Sequence, residues 1–329
     1  MACYAGVDLG ATNVRAVVGD RSGAVLGTDT RETPQGPSGI AITEAVLGAL
    51  RGACAAADTE PGAITRAGIG SIGPLDRAQG VVRDPANLPD RIDVIPLTGP
   101  VRNLVDAPVV LHNDANTGVI GERFYADHNP DNMIYLTVSS GIGAGIIVDG
   151  TVLSGWDGNA GEVGHVTVDS DRTMRCGCGK RGHWEAYCSG SNIPGYAEQL
   201  HGGEETALPL YTDEFAAADV FALAGEDALA DRVLDRVADW NAQGVATLVH
   251  AYAPMIIYVG GAVALNNPDV VLDGVRERLP SLVMTNVPDI QLTTLGDDVV
   301  VRGALASAIT GHSGSAGRRS RETTRPGSE

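Results

Sequence analysis

Three short apolar runs open the chain, YAGVDLG (4–10), VRAVVGD (14–20) and GAVLGTDT (23–30), each rich in β-forming residues and parted from the next by turn residues. That pattern predicts a meander of hairpin-linked strands. After the loop TPQGPSG, an Ala-rich amphipathic stretch over 40–57 predicts a helix. The segments ITRAGIGSIG (64–73) and APVVLHND (107–114) return to strand, and 115–125 has helical spacing. A second cycle starts at MIYLTVSSGIGAGIIVDGTVLSG (133–155), again strand, glycine-rich turn, strand, turn, strand. The two cycles open alike, which is the pattern of two lobes with related topology. A long helix over 228–253, a buried strand over 255–261 and a last helix over 302–310 complete the reading. The final residues, 312–329, lack apolar groups and read as a disordered tail.

Composition narrows the class. A chain of 329 residues is long enough for two α/β lobes, and with 43% hydrophobic but only 4% aromatic residues its interior must be built from Ala, Val, Leu and Ile. Such residues suit parallel or mixed sheets flanked by helices. A net charge of −18 with a pI near 4.7, and no basic stripe in the folded part, excludes a nucleic-acid binder. Lys180 is the only lysine and the acidic residues are dispersed, as on proteins adapted to concentrated salt, where screening relieves self-repulsion. The start MACYAGVDLGATN has no basic, apolar or cleavage region of a signal peptide, and no stretch approaches an uninterrupted membrane span. Five cysteines, three of them clustered, do not form a disulfide framework in a chain this size. A cytoplasmic protein without membrane or nucleic-acid partners is expected.

Five constellations carry chemistry. Asp8-Leu9-Gly10-Ala11-Thr12-Asn13 ends a strand in a tight turn: backbone N–H groups at Gly10 and Ala11 can approach an anion, Thr12 and Asn13 add donors, and Asp8 can hold hydrated Mg²⁺. Ser139-Ser140-Gly141-Ile142-Gly143 makes a second such turn and Gly260-Gly261-Ala262 a third. In HNDANTGVIGE (112–122) Asp114 has the chemistry to accept a proton from an alcohol, while an Asp or Asn before a helix is equally a cap. In GNAGEVGHVTVD (158–169) and RCGCGKRGHWEAYCSG (175–190), His165, Cys176, Cys178 and His183 make a set suited to a closed tetrahedral Zn²⁺ site. Cys-Gly-Cys is one residue shorter than the usual redox pair, and Cys3, Cys54 and Cys188 read as small buried apolar residues.

In this order, DLGATN, HNDAN, SSGIGAG, GEVGH and CGCGKRGHWE resemble the sugar kinases of the ROK family, glucokinases in particular, over about 5–309. The segments GIGSIGPLD (68–76) and DPANLPD (84–90) also look like family segments. The resemblance implies an actin-like, ribonuclease H-like α/β fold of two lobes with ATP and a sugar in the cleft. It implies a small lobe over 1–117 completed by the C-terminal helix at about 302–311, and a large lobe over 118–301 with a zinc-binding loop. By residue, it makes Asp114 the general base. Asn87, Asn113, Asp114, Glu162, His165 and Glu185 become sugar contacts, and Asp8, Gly10, Thr12, Asn13, Ser140, Gly141, Gly260 and Gly261 the ATP and Mg²⁺ site. Ala11, Ser139-Ser140 and His183 depart from the family's usual Gly, Gly-Thr and third Cys. Some members are repressors with a helix-turn-helix before the kinase region; a phosphate turn starting at Asp8 leads us to expect no such module. The reading is an ATP-dependent hexose kinase, most simply for glucose and forming a homodimer or homotetramer. Kinases for fructose, mannose or an N-acetylhexosamine are the alternatives, with a non-catalytic sugar sensor as the rival class. Loss of the zinc loop is expected to misplace sugar contacts and to weaken sugar binding far more than ATP binding, because the nucleotide turns lie elsewhere.

Overall fold

The computed structural model describes residues 2–85, 88–89, 92–126, 129–156 and 158–311. The expected opening meander is present as β1 (Cys3–Leu9), β2 (Asn13–Gly19) and β3 (Val25–Glu32), all antiparallel. Next come α1 (Gly39–Ala56) and β4 (Ile64–Ser71). A small antiparallel sheet follows, made of β5 (Leu75–Asp76), β6 (Val81–Arg83) and β7 (Val94–Pro96). Then α2 (Thr98–Val105), β8 (Val109–Asn113) and α3 (Asp114–Tyr125) complete the first half. β4 and β8 add to β1 in parallel, giving a five-stranded sheet of order β3-β2-β1-β4-β8.

The second half repeats the plan. A meander of β9 (Met133–Val138), β10 (Ile142–Val148) and β11 (Thr151–Val152) is followed by α4 (Glu185–Cys188), α5 (Ile193–Leu200), α6 (Ala217–Ala222) and α7 (Ala228–Tyr252). β12 (Ile256–Gly260), α8 (Ala262–Asn266), α9 (Gly274–Leu282), β13 (Asp289–Leu292) and α10 (Val299–Thr310) close the chain. β12 and β13 add to β9 in parallel, so the second sheet reads β11-β10-β9-β12-β13. The relation inferred from two similar glycine turns is therefore a relation of whole sheets.

Each sheet has its own apolar core. Around the first sheet, Val7, Val14, Ile42, Leu50 and Ile69 are fully or almost fully buried. Beside the second, Leu136, Ile146, Trp184, Tyr187, Val237 and Ile257 are equally enclosed. Two helices join the halves: α10 lies on β1 and β4 and against α3, while α3 packs on β9 and β10. Close approach of α10 dictates glycine in the first sheet, because a Cβ on Gly6 would stand 2.5 Å from the Leu305 backbone nitrogen and one on Gly68 2.1 Å from the Ala304 carbonyl oxygen. Among the described residues, α1 is the one helix long and apolar enough to cross a membrane. Half of it is buried within the protein, where Ile42, Val46 and Leu50 belong to the first core.

Candidate functional site

Parallel pairing brings three strand ends to one line. Leu9 stands opposite Ser71, and Ser71 opposite Asn113, so the DLGATN turn and the start of α3 leave the same sheet edge. The carboxyl edge of parallel strands is where open α/β sheets bind ligands. The turn's shape is set by its neighbours: the Gly10 N–H donates to Asn13 O at 2.9 Å. Thr33 Oγ1 donates to Gly10 O at 2.8 Å and Gln35 Nε2 to Ala11 O at 3.0 Å. With those carbonyls occupied, Thr12 and Asn13 are left exposed. Asp8 is buried at the end of β1 and accepts from Arg15 Nε at 3.1 Å and Nη2 at 2.8 Å. Burial raises its pKa to about 6 against the pull of Arg15, and the charges of Asp114 and Asp298 push the same way as burial.

Asn113, rather than Asp114, caps α3. Its Oδ1 accepts from the Asn116 N–H at 2.8 Å, and its carbonyl accepts from Thr117 Oγ1 at 2.6 Å. Asp114 begins the helix and accepts from the adjacent Ala115 N–H at 2.7 Å; among the described residues it enters no ion pair, and it is exposed to the cleft. Protein walls that site on most sides, and the resulting loss of hydration raises the Asp114 pKa. The alternative left open by the sequence is resolved: the cap and the free carboxylate are neighbours. Asn113 keeps its amide N–H groups for a ligand because its oxygen is committed to the cap.

The second sheet edge mirrors the first. Gly260 pairs with Thr137, so β9 and β12 end together and their glycine turns lie side by side. Gly261 has φ 89°, and a Cβ there would stand 2.5 Å from Val138 O; only glycine fits both demands. Ser140 and Gly141 form the tip of the turn that Ser139 closes by donating to Gly141 O at 2.9 Å. Beside Gly261 lies a cavity of ≈ 470 Å³ between α6 and α8, lined by Ala217, Phe221, Ala222, Val263 and Asn266 among others.

Across the cleft, Glu162 and His165 stand in the glycine-rich loop before the cysteine cluster, with His165 Nε2 3.8 Å from Glu162 Oε2. Burial raises the Glu162 pKa, His165 opposes it, and Asp114 and Glu185 raise it further. Those couplings put the three carboxylates around one space. The four expected metal ligands also converge: the donor atoms of His165, Cys176, Cys178 and His183 all lie within 4.8 Å of one another. Cys176 Sγ is 3.7 Å from His165 Nδ1, and Cys178 Sγ 3.3 Å from His183 Nδ1. Tetrahedral Zn²⁺ with bonds of about 2.0–2.3 Å needs ligand separations of roughly 3.5 Å, so two thiols and two imidazoles fit such an ion. Burial, then the positive neighbours His165, Lys180 and Arg172, lowers the His183 pKa, which favours the neutral ring that coordinates metal. Cys176 is pushed up to about 11 by burial, so coordination would have to displace its proton.

One expectation is overturned. Glu185 Oε2 accepts from the Ile142 N–H at 2.9 Å, and the Gly190 N–H donates to Ser139 O at 2.7 Å. The cysteine loop therefore holds the second glycine turn directly; sequence distance concealed a contact made through backbone groups. Arg15, the Ile142 amide and the apolar slot by Gly261 were not foreseen. A basic residue seven positions after Asp8 was the only available signal. Cys3, Cys54 and Cys188 are buried as expected. The expected sugar contact Asn87 lies outside the described residues.

Residues 4–310 match the family described as ROK family. The chain is 39% identical over 310 residues to a glucokinase of Pyrobaculum calidifontis, covering 94% of this chain and 95% of that protein. Among solved structures it is similar to a ROK hexokinase from Thermus thermophilus, with TM-score 0.80, 30% identity, and 93% and 98% of the two chains covered. It is likewise similar to a ROK family glucokinase from Streptomyces griseus in complex with glucose and AMPPNP, with TM-score 0.72, 30% identity, and 93% and 99% covered.

Proposed function

This chain belongs to the ROK family, and from that premise we propose that it is an ATP-dependent hexose kinase that converts glucose to glucose 6-phosphate. The observation that carries the reading is the Asp114 carboxylate, spared from capping, raised in pKa and open to a cleft between two glycine turns. A base of raised pKa takes the proton of an attacking hydroxyl more readily. Phosphoryl transfer otherwise asks the protein for positioning and charge stabilisation.

In this reading Gly10, Thr12 and Asn13 meet the phosphates from one sheet and Ser140, Gly141, Gly260 and Gly261 from the other. The slot between α6 and α8 receives the purine. Asn113, Glu162, His165 and Glu185, with Asn87, hold the sugar hydroxyls and turn one toward Asp114. Asp8 supplies a hard oxygen donor that suits Mg²⁺, which would offset phosphate charge when bound. Arg15 holds Asp8 in place meanwhile. His165, Cys176, Cys178 and His183 would hold Zn²⁺, fixing the His165 ring with Nε2 toward Glu162 and the cleft. Closure of a small lobe (1–117 with α10) on a large one (118–301) would exclude water, the competing nucleophile. We place the enzyme in the cytoplasm as a homodimer or homotetramer, and read the Asp-rich, Lys-poor surface as an adaptation to salt.

A coupled assay with ATP against glucose, fructose, mannose and N-acetylhexosamines, run in dilute buffer and in molar KCl, tests these points together. Glucose is expected to give the highest kcat/KM, with more activity in KCl. Preference for another hexose moves the substrate assignment; ATP turnover with none of them leaves a sugar sensor. Equal activity in both buffers removes the salt-adapted reading.

A further inference from the structure

We propose that the outer face of the cysteine loop, away from the cleft, is a binding site for a small phosphate-bearing anion. A cavity of ≈ 390 Å³ opens there, lined by Thr167, Arg172, Lys180, Arg181 and His183. That volume lies in the range of small-molecule sites, about 300–1,000 Å³. No carboxylate lines it, although the chain carries 41 acidic residues against 23 Lys and Arg. The chain's single lysine and two arginines line one hollow.

Their clustering sets these residues apart. Arg31, Arg83, Arg123, Arg232 and Arg278 each meet a carboxylate. Among the described residues, Arg172, Lys180 and Arg181 form no ion pair, and neither does the adjacent Arg175. Arg21, Arg51, Arg66, Arg77, Arg102 and Arg302 are likewise outside any ion pair among the described residues, but they are scattered along the chain, whereas these four cations fall within ten residues. The nearby Asp169 makes no ion pair with them: its oxygens accept from Tyr187, Thr173 and the Asp171 N–H, bonds that bring its pKa down to about 2 although burial pushes it up.

The hollow is also built rather than draped. The Gly182 N–H donates to Met174 O at 3.0 Å, the Cys176 N–H to Lys180 O at 2.9 Å and the Val168 N–H to Gly182 O at 2.9 Å, which fixes the hairpin. Arg181 Nη1 donates to Thr173 O at 2.7 Å and Arg172 O at 3.2 Å, and Arg172 takes a left-handed backbone with φ 54°. Guanidinium forks, an ammonium and the Thr167 hydroxyl on a fixed frame match phosphoryl oxygens. The site communicates inward. His183 lines the hollow and faces Cys178, and two residues later Glu185 holds the Ile142 amide of the second glycine turn. An anion here stiffens the loop that braces that turn. The binding itself is independent of the kinase reading.

Inorganic tripolyphosphate and glucose 6-phosphate are titrated calorimetrically at low ionic strength into the full chain with its cleft saturated by glucose and AMPPNP. The wild type is compared with the double variant Arg172→Gln/Lys180→Gln and with Arg175→Gln, whose charge is close but outside the lining. The expected result is one-to-one binding that weakens by about tenfold or more in the double variant, as loss of charged hydrogen bonds implies, and by less than about twofold in Arg175→Gln. Melting temperatures of these exposed variants serve as the folding control. Tighter binding of the ester marks a sugar-phosphate site; tighter binding of the chain marks a polyphosphate site. Absence of binding, unchanged binding in the double variant or equal weakening in all variants overturns the proposal.

Discussion

In the first sheet the turn after β1 is pinned by Thr33 and Gln35, residues that follow β3 of the same meander. In the second sheet the corresponding turn after β9 is pinned by Glu185 and Gly190, which come from a long insertion between β11 and β12. Strand order is the same in both sheets, so the difference lies in what braces the turn. A local brace forms with its sheet. A distant brace makes the turn depend on another loop, and that loop carries Glu162 and the four clustered ligands, His165 among them. The first half thus has a locally braced turn, and the second a turn braced from the cysteine loop.

The largest effect is expected in the first half. Asp114→Asn keeps the shape and removes the basic oxygen, and turnover should fall by about 10²- to 10⁴-fold with nucleotide affinity nearly unchanged. Activity of the wild type is lost as pH falls through the Asp114 pKa, which burial has raised, so its acid limb should lie above the ordinary carboxylate range. For stability the sign is opposite. A carboxyl whose folded pKa is raised is most favourable to the fold below its unfolded pKa, and that contribution is lost as pH rises through the folded value. Asp114→Asn should therefore melt no lower than the wild type at pH 7. Retention of more than half the turnover, or a melting point several degrees lower, would count against the assignment.

The second half should break from its core. Trp184 is fully buried, donates from Nε1 to Asn241 Oδ1 at 2.8 Å, and precedes Glu185 directly. Trp184→Ala should cost about 3–5 kcal/mol in chemical denaturation. It should weaken sugar binding in the protein that remains folded. A cost below about 1 kcal/mol would mean that the loop is not anchored there.

β-forming runs bounded by turn residues made β1 to β3 legible, helical spacing made α1 and α7 so, and β12 showed as an unbroken apolar run that is buried throughout. α10 begins at Val299 rather than near 302, since Val299-Val300-Val301 has the composition of a strand and only packing on the first sheet makes it helical. α9 was hidden by Pro280 within it, and β13 by its short, partly exposed DIQL sequence. The small sheet β5 to β7 is made of runs of two and three residues, too short to show a period. At the site, motif order announced Asp114, the glycine turns and the four ligands. The brace from Glu185 to Ile142 spans 43 positions and ends on a backbone amide, which has no signature in sequence. The slot by Gly261 is lined largely by alanines, which read as ordinary helix.

Hydrogen–deuterium exchange of the two turns, in the wild type and in Glu185→Ala, tests the unequal bracing most directly. The account predicts faster exchange in the peptide spanning 136–145, by about tenfold at the Ile142 amide if its bond is worth near 1.4 kcal/mol, with the peptide spanning 6–15 unchanged. Equal exchange of 136–145 in the two proteins, or an equal rise in both peptides, would contradict it.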